Sequence, residues 1–188
     1  MQPVVDQSCR GVVHGNIIVQ VLLLVLLAAC ASPATPESAA EDFIDAFYDW
    51  QPGPLKTLLA RVPTTQLDKV LYYQAWAQAA NYSIFERRPC ALEDDEVRCA
   101  ITVSDDFGTA LGYRATDTFV LTSAAGVITA VDFSGDDPPV FMQLFDWIAQ
   151  NQPKVLTGPC LDMFAGGDTP ADCARAVVAA ARVFVSSR

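Results

Sequence analysis

Residues 90–104 read CALEDDEVRCAITVS, and this stretch decides the fold class. Apolar and polar side chains alternate along its second half, which predicts a half-buried antiparallel strand. The apolar positions of that alternation are Val97, Cys99, Ile101 and Val103. The acidic run EDDE predicts a turn before the strand, and a turn centred on its two aspartates places Cys90 opposite Cys99. The same turn places Leu92 opposite Val97, so the register and a local disulfide support each other.

Two further strands are predicted after this hairpin. They are ATDTFVLT, which starts at Ala115, and VITAVDF, which starts at Val127. The loop SAAG joins them, and its glycine suits a hairpin. If all four loop residues are unpaired, Thr122 lies opposite Val127. The intervening segment DDFGTALG, at 105–112, is acidic and contains glycine. It predicts a hydrated loop rather than a calcium site, because the ligand spacing of a calcium-binding loop is missing.

Helical patterns lie on both sides of the strands. The motif SAAE predicts a capping box in which Ser38 and Glu41 open the first helix, and QPGP ends that helix. A second helix is predicted from near Thr65. After the strands, Asp137 and Thr169 each precede a proline, which predicts two more helix starts. Helices, antiparallel strands and helices again predict an α+β domain in which a curved sheet wraps around a helix.

This order of elements resembles the nuclear transport factor two-like superfamily, including its SnoaL-like branch, over residues 38–150. The resemblance rests on AEDFIDAFYDW in the first helix, on CALEDDEVRCAITVSDDFGTALG in the middle and on DTFVLTSAAGVITAVDFSGD at the last hairpin. It implies a cone-shaped α+β barrel with an apolar pocket, often dimerising through its sheet, in enzymes and binding proteins alike. The predicted organisation is a leader at 1–29, a tether at 30–40, the cone-shaped domain at 41–150 and a C-terminal helical extension at 151–188.

The chain opens on a predicted export signal. The apolar run from Ile17 to Ala29 has the length of a signal-peptide core and is shorter than a membrane span. Its end, LLAAC, resembles the lipobox of bacterial lipoproteins, which implies cleavage before Cys30 and a diacylglyceryl thioether on that cysteine. Two or three acyl chains hold a protein durably at a membrane, whereas one does not. An ordinary secretory signal and an uncleaved anchor are the alternatives, and all three place the domain on the extracytoplasmic side of the bacterial cell envelope.

Charge and histidine content exclude several function classes. Without the leader the chain keeps 21 acidic and 11 basic residues. This negative charge opposes nucleic acid, so no nucleic-acid partner is predicted. The only histidine, His14, leaves with the leader, which excludes Ser/His/Asp and Cys/His triads and histidine-ligated zinc from the mature protein. No cofactor and no metal are predicted.

Four cysteines of the mature chain form two local pairs. Cys90 and Cys99 bracket eight residues, and Cys160 and Cys173 bracket twelve. An exported protein meets oxidising conditions, so two short-loop disulfides are predicted, the second of them stapling the C-terminal helix. Zinc is the alternative, but the spacings are not those of a CxxC site.

Paired carboxylates are one candidate for chemistry. A four-residue SAAG loop places Asp117 directly opposite Asp132 on an apolar face, with Arg114 close by. Two carboxylates so close cannot both ionise cheaply, and one could therefore serve as a general acid. The alternative interpretation is two aspartates that are solvated or paired with arginine.

A set of aromatic residues is the second candidate. Tyr72, Tyr73, Trp76 and Tyr82 could line a pocket for a planar ligand. Core packing explains the same residues, because apolar sites and apolar cores share one composition.

Three classes of function remain open from the sequence. The first is a non-catalytic lipoprotein that binds a small apolar ligand or an envelope protein, and the absence of histidine favours it. The second is an isomerase, dehydratase or hydrolase that uses the paired aspartates and a tyrosine. The third is a structural accessory subunit that docks through its acidic surface. A homodimer is an expectation from the superfamily resemblance.

Overall fold

The computed structural model describes residues 35–165 and 167–188. The predicted leader, the lipidation prediction at Cys30 and most of the tether lie outside these residues. Helices lie at Pro36–Tyr48 (α1), Pro52–Leu58 (α2), Thr64–Ala79 (α3), Asp106–Leu111 (α4), Pro139–Asn151 (α5), Pro153–Thr157 (α6) and Pro170–Ser186 (α7). Strands lie at Ser83–Arg87 (β1), Ala91–Glu93 (β2), Glu96–Ser104 (β3), Ala115–Ala124 (β4) and Val127–Gly135 (β5). None of the described helices has the length and hydropathy of a membrane span.

The sheet is antiparallel throughout, in the order β1-β3-β4-β5, and β2 pairs with β3 beside β1. The alternation predicted for β3 is present, because its four apolar side chains are all buried. Helix α1 packs on the inner face of the sheet. The rings of Phe43 and Phe47 lie 5.3 and 5.1 Å from that of Phe119 on β4. The predicted α+β class, with helices against a curved antiparallel sheet, is confirmed.

Both predicted disulfides are present. Cys90 is bonded to Cys99, and Leu92 pairs with Val97 across the β2–β3 hairpin as predicted. The second bond joins Cys160 to Cys173 in the first turn of α7. Helix α7 packs along α3 and α4, and its buried face is part of the same apolar core as the helices under the sheet.

The first helix starts earlier than the sequence pattern predicts, and the capping box is wrong. Thr35 is the N-cap and accepts a hydrogen bond from the Ser38 amide at 3.1 Å, so Ser38 lies inside α1. Pro36 explains the difference, since its fixed φ favours the first helical position. Glu41 instead accepts a hydrogen bond from the Cys90 amide at 2.6 Å and forms an ion pair with Arg87.

Three other helix boundaries also differ from the predictions. Helix α1 ends at Tyr48, before the QPGP motif that is predicted to end it, and this motif instead opens α2 at Pro52. The predicted loop at 105–112 contains α4, because the Asp105 side chain caps it by accepting from the Gly108 amide at 2.6 Å. The N-cap position of helix α5 is Pro138, one residue after Asp137, and no side chain caps the helix by a hydrogen bond there. The predicted start after Thr169 is confirmed.

The β4–β5 turn is two residues shorter than predicted. Ala125 and Gly126 alone connect the strands, with φ of 52° and 75°. Two positive φ values are typical of the type I′ turn, which matches the twist of a hairpin. The register then shifts by one residue between Thr122 and Ser123, so that Thr122 lies opposite Ala130 and not opposite Val127. This bulge decides which face of the sheet each later residue of β5 occupies.

Candidate functional site

Asp117 is a buried carboxylate on the inner face of the sheet. It lies on β4, and only 4% of its surface is exposed. Its Oδ2 accepts a hydrogen bond from the hydroxyl of Tyr48 at 2.7 Å, and its Oδ1 accepts one from Tyr73 at 2.6 Å. Tyr48 is the last residue of α1, and Tyr73 lies in α3. Two helices therefore hold one buried carboxylate between two phenols.

Burial raises the pKa of Asp117 to about 6, from an ordinary value of 3.8. The hydrogen bonds from Tyr73 and Tyr48 favour the ionised form and lower this pKa, whereas nearby Asp137 and Asp136 raise it. Burial also raises the pKa of each tyrosine, so the hydroxyls keep their protons and act as donors. At neutral pH the group is an ionised carboxylate in largely apolar surroundings.

A cavity of about 140 Å³ lies next to Asp117. Its aromatic wall consists of Tyr73, Trp76, Tyr82, Phe133, Phe141 and Phe164. The ring of Tyr73 stacks on Phe133 at 4.6 Å, with the two planes parallel. The ring of Trp76 lies 6.0 Å from Tyr82 and 5.7 Å from Phe164. Asp117, Gly135 and Asp137 complete the wall.

Acidic groups dominate the polar part of this region. Asp137 lines the cavity and accepts a hydrogen bond from the Tyr113 hydroxyl at 3.3 Å, and burial raises its pKa. Burial also raises the pKa of nearby Asp105 to about 7, although its bond from the Gly108 amide acts in the opposite direction. The second oxygen of Asp105, Oδ2, is buried without a partner among the described residues. The lining contains no Lys, Arg or His within the part of the chain that the structure describes.

Three of the four predicted aromatic residues line this cavity, namely Tyr73, Trp76 and Tyr82. Tyr72 does not. Its ring meets that of Phe164 edge-on at 5.1 Å, and its buried hydroxyl has no partner within the described residues. Tyr73 and Trp76 belong to the buried core and form the cavity wall as well.

The predicted pairing of Asp117 with Asp132 is wrong. The two-residue turn and the bulge place Asp117 opposite Gly135, and they place Asp132 opposite Val120. Since neighbouring positions along a strand face opposite sides, Asp132 lies on the outer face and is exposed. Arg114 is exposed too, and its guanidinium lies 3.7 Å from the centre of the Phe85 ring. The fold therefore does not bring the predicted trio together.

Of the neighbours of Asp117, Tyr73 was predicted as a pocket residue, whereas Tyr48 and Asp137 were not predicted as site residues. Tyr48 shares the buried face of α1 with Ile44, four positions earlier, and this helical spacing was the available signal. The sequence pattern predicts Asp137 as a helix cap, because a proline follows it, and this interpretation does not place it in a cavity wall. Among the described residues, no group of three or more His, Cys, Asp or Glu side chains is arranged to hold a metal ion.

The structure of this chain is similar to that of an NTF2-like protein of unknown function from Cytophaga hutchinsonii. The two sequences are 14% identical, the match covers 59% of this chain and 98% of the other, and the TM-score is 0.41. No protein-family model matches the chain, and no curated protein matches it.

Proposed function

We propose that this protein binds a small, largely apolar ligand in the aromatic cavity beside Asp117, without catalysis, while a lipid anchor holds it in the bacterial cell envelope. The observation that carries the proposal is a cavity of about 140 Å³ with six aromatic side chains around one buried carboxylate. Concave apolar sites with a few converging polar groups are typical of ligand pockets.

The size of the cavity limits the ligand. A cavity of about 150 Å³ lined by apolar side chains holds a molecule the size of benzene. The ligand, or the part of it that enters the cavity, is therefore of this size. Asp117 supplies an acceptor near the start of β4, and Asp137 supplies a second one. Aromatic side chains supply the remaining contact surface.

The lipid anchor is proposed from the sequence. The motif LLAAC ends the apolar run, and its cysteine, Cys30, would be the first residue of the mature chain. A diacylglyceryl group attached to the sulfur of that cysteine through a thioether would hold the domain at the membrane surface by its acyl chains. The two disulfides fit an oxidising compartment outside the cytoplasm. Membrane, ligand and a second copy of the chain are the proposed partners, and nucleic acid is not among them.

Native mass spectrometry of the protein purified from its own membranes tests this proposal. We expect a chain that begins at an acylated Cys30, keeps both disulfides and carries a small ligand. A matched pair of variants tests where the ligand sits. A Cβ on Gly135 would meet Asp137 Oδ2 at 3.0 Å and Asp117 Oδ1 at 4.0 Å, so Gly135→Val should fill the cavity and expel the ligand. Ser134→Val, at the neighbouring position that faces the opposite side, should retain it.

Two results would contradict the proposal. A ligand that stays on Gly135→Val as firmly as on Ser134→Val would place the binding site elsewhere. A chain with unmodified Cys30 in material from the cytoplasm would refute the anchor.

A second candidate function is acid–base catalysis by Asp117. It is favoured by a carboxyl group whose pKa burial raises to about 6 at the wall of a cavity, because perturbed groups of this kind are common in active sites. Asp132 and Arg114 take no part in this version. Incubation of the ligand found by mass spectrometry with the wild type and with Asp117→Asn distinguishes the two functions. Product formed by the wild type alone would support the enzyme, and an unchanged ligand supports binding only.

A further inference from the structure

We infer that the ligand of this cavity is a small organic cation, an ammonium group whose substituents are apolar; the inference rests on the proposed binding function and names its ligand class. The cavity combines two features that such a cation needs. Six aromatic side chains line its wall, and two carboxylates line the same space. Proteins commonly bind quaternary ammonium groups by surrounding them with aromatic side chains, through cation–π interactions.

Within the described residues, none of the side chains that line the cavity carries a positive charge. Asp117 and Asp137 line the cavity, and neither accepts a hydrogen bond from a Lys or Arg in the described residues. Their hydrogen-bond donors are phenols, which orient a carboxylate without neutralising it. Asp117 is buried, and buried charges in proteins are normally paired. A cation in the cavity would supply the missing charge.

Asp105 is a third carboxyl group of this region, although it is not among the residues that line the cavity. Asp105 is 3% exposed, and its Oδ2 has no partner within the described residues. Asp105 and Asp137 are near enough to repel each other electrostatically. Three carboxylates thus act on one region of the protein. A positive ligand lowers the energy of all three, whereas an anion raises it.

The geometry also selects against other ligand classes. Each oxygen of Asp117 already accepts one phenol hydrogen bond and keeps capacity for another. A neutral apolar ligand would fill the cavity but would leave the carboxylates unpaired. A bare metal ion would find rings where it needs oxygen ligands. The apolar groups of an alkylated ammonium can pack against the rings, and its charge can pair with the carboxylates.

The test compares a cation with a neutral molecule of nearly the same shape. Tetramethylammonium chloride and tert-butanol are titrated into the full-length protein, purified from its own membranes in detergent, by isothermal titration calorimetry at pH 8 with matched chloride. We expect tetramethylammonium to bind the wild type at least about tenfold more tightly than tert-butanol does. Sodium chloride serves as the blank.

Three variants assign the effect to the cavity carboxylates. Asp117→Asn and Asp137→Asn should each weaken tetramethylammonium binding about tenfold and leave tert-butanol binding nearly unchanged. The matched control is Asp132→Asn, which removes an exposed carboxylate from the outer face of the same hairpin and should change neither affinity. Asp137 is exposed over much of its surface, so its variant keeps the test valid even if Asp117→Asn folds poorly.

The outcomes separate this inference from the proposed function. If tert-butanol binds as tightly as tetramethylammonium, the cavity is a ligand site, but the inference that its ligand is a cation is refuted. If tetramethylammonium binds all three variants as it binds the wild type, the carboxylates do not select it and the inference is also refuted. If neither probe binds the wild type, both the inference and the proposed function fail.

Discussion

Asp117 and Asp132 are both aspartates of one hairpin, but they lie in different environments. Asp117 is buried on the inner face between two tyrosines, whereas Asp132 is exposed on the outer face. Which face each aspartate occupies depends on the turn at Ala125 and Gly126 and on the bulge beside it. The comparison teaches that the chemistry of a strand residue depends on the register of the hairpin as much as on its identity.

The largest expected effect is on stability, and it compares the packing of a side chain on the inner face of the sheet with that of one on the outer face. Phe119→Ala removes a fully buried ring that contacts Phe43 and Phe47, and it should lower the free energy of unfolding by about 3–5 kcal/mol. Val120→Ala, at the next position on the outer face, should cost less than about 1.5 kcal/mol. Urea denaturation measures both, and equal losses would break the distinction between the faces.

The next effect is the pH dependence of stability that Asp117 causes. Its pKa is about 6 in the folded protein and 3.8 ordinarily, so between these values the folded state holds a proton that the unfolded chain releases. The stability due to this proton is therefore full below about pH 4 and is lost as the pH rises to about 6, a change of about 3 kcal/mol. Asp117→Asn should gain that amount relative to the wild type between pH 4 and pH 7.

The control for this prediction is Asp132→Asn, which removes a carboxylate of the same hairpin from the outer face. Its difference from the wild type should change much less over the same pH range. Asp105, whose pKa burial also raises, is present in all three proteins, and only the part of its pKa shift that the Asp117 charge causes differs in Asp117→Asn. A free-energy difference for Asp117→Asn that stays constant from pH 4 to pH 7 would contradict the buried position of Asp117.

A smaller effect concerns the two phenols. Tyr48→Phe and Tyr73→Phe each remove a hydrogen bond that favours the ionised carboxylate, so each should raise the pKa of Asp117 by about one unit. The carboxyl carbon shift in ¹³C NMR measures this pKa. Tyr113→Phe is the control, because its hydroxyl contacts Asp137 instead. A pKa that is lower in either variant than in the wild type would contradict the assigned donors.

The smallest effect tests the turn that sets the register. Ala125 has φ of 52°, a conformation that costs an alanine energy and suits asparagine or glycine. Ala125→Asn should therefore raise the free energy of unfolding by about 0.5–1 kcal/mol. Gly126→Ala should lower it by about 1 kcal/mol, because it introduces the same strain at φ of 75°. Opposite signs in urea denaturation would contradict the type I′ turn.

Short-range patterns in the sequence predicted much of this fold. The alternation from Val97 to Val103, the pairing of Cys90 with Cys99 and the start of α3 each depend on a few neighbouring residues. The aromatic residues of α3 were predicted as a group, although their spacing did not separate Tyr73, which lines the cavity, from Tyr72, which does not.

The site itself depended on details that a sequence pattern does not resolve. The motif SAAG is compatible with several loop lengths, and only the two-residue turn with its bulge separates Asp117 from Asp132. Tyr48 reaches Asp117 across 69 residues of chain, and no local rule connects them. Asp137 precedes a proline, which favoured a helix cap over a place in the cavity wall.

The titration of the Asp117 carboxyl carbon in the wild-type protein, by ¹³C NMR, tests the central claim most directly. A carboxyl group buried beside an aromatic cavity and held by two phenols should titrate with a pKa of about 6. In the ligand-free protein, a midpoint at or below the ordinary value of 3.8 would show a carboxylate that is solvated or paired with a Lys or Arg side chain, and it would contradict the site described for this protein.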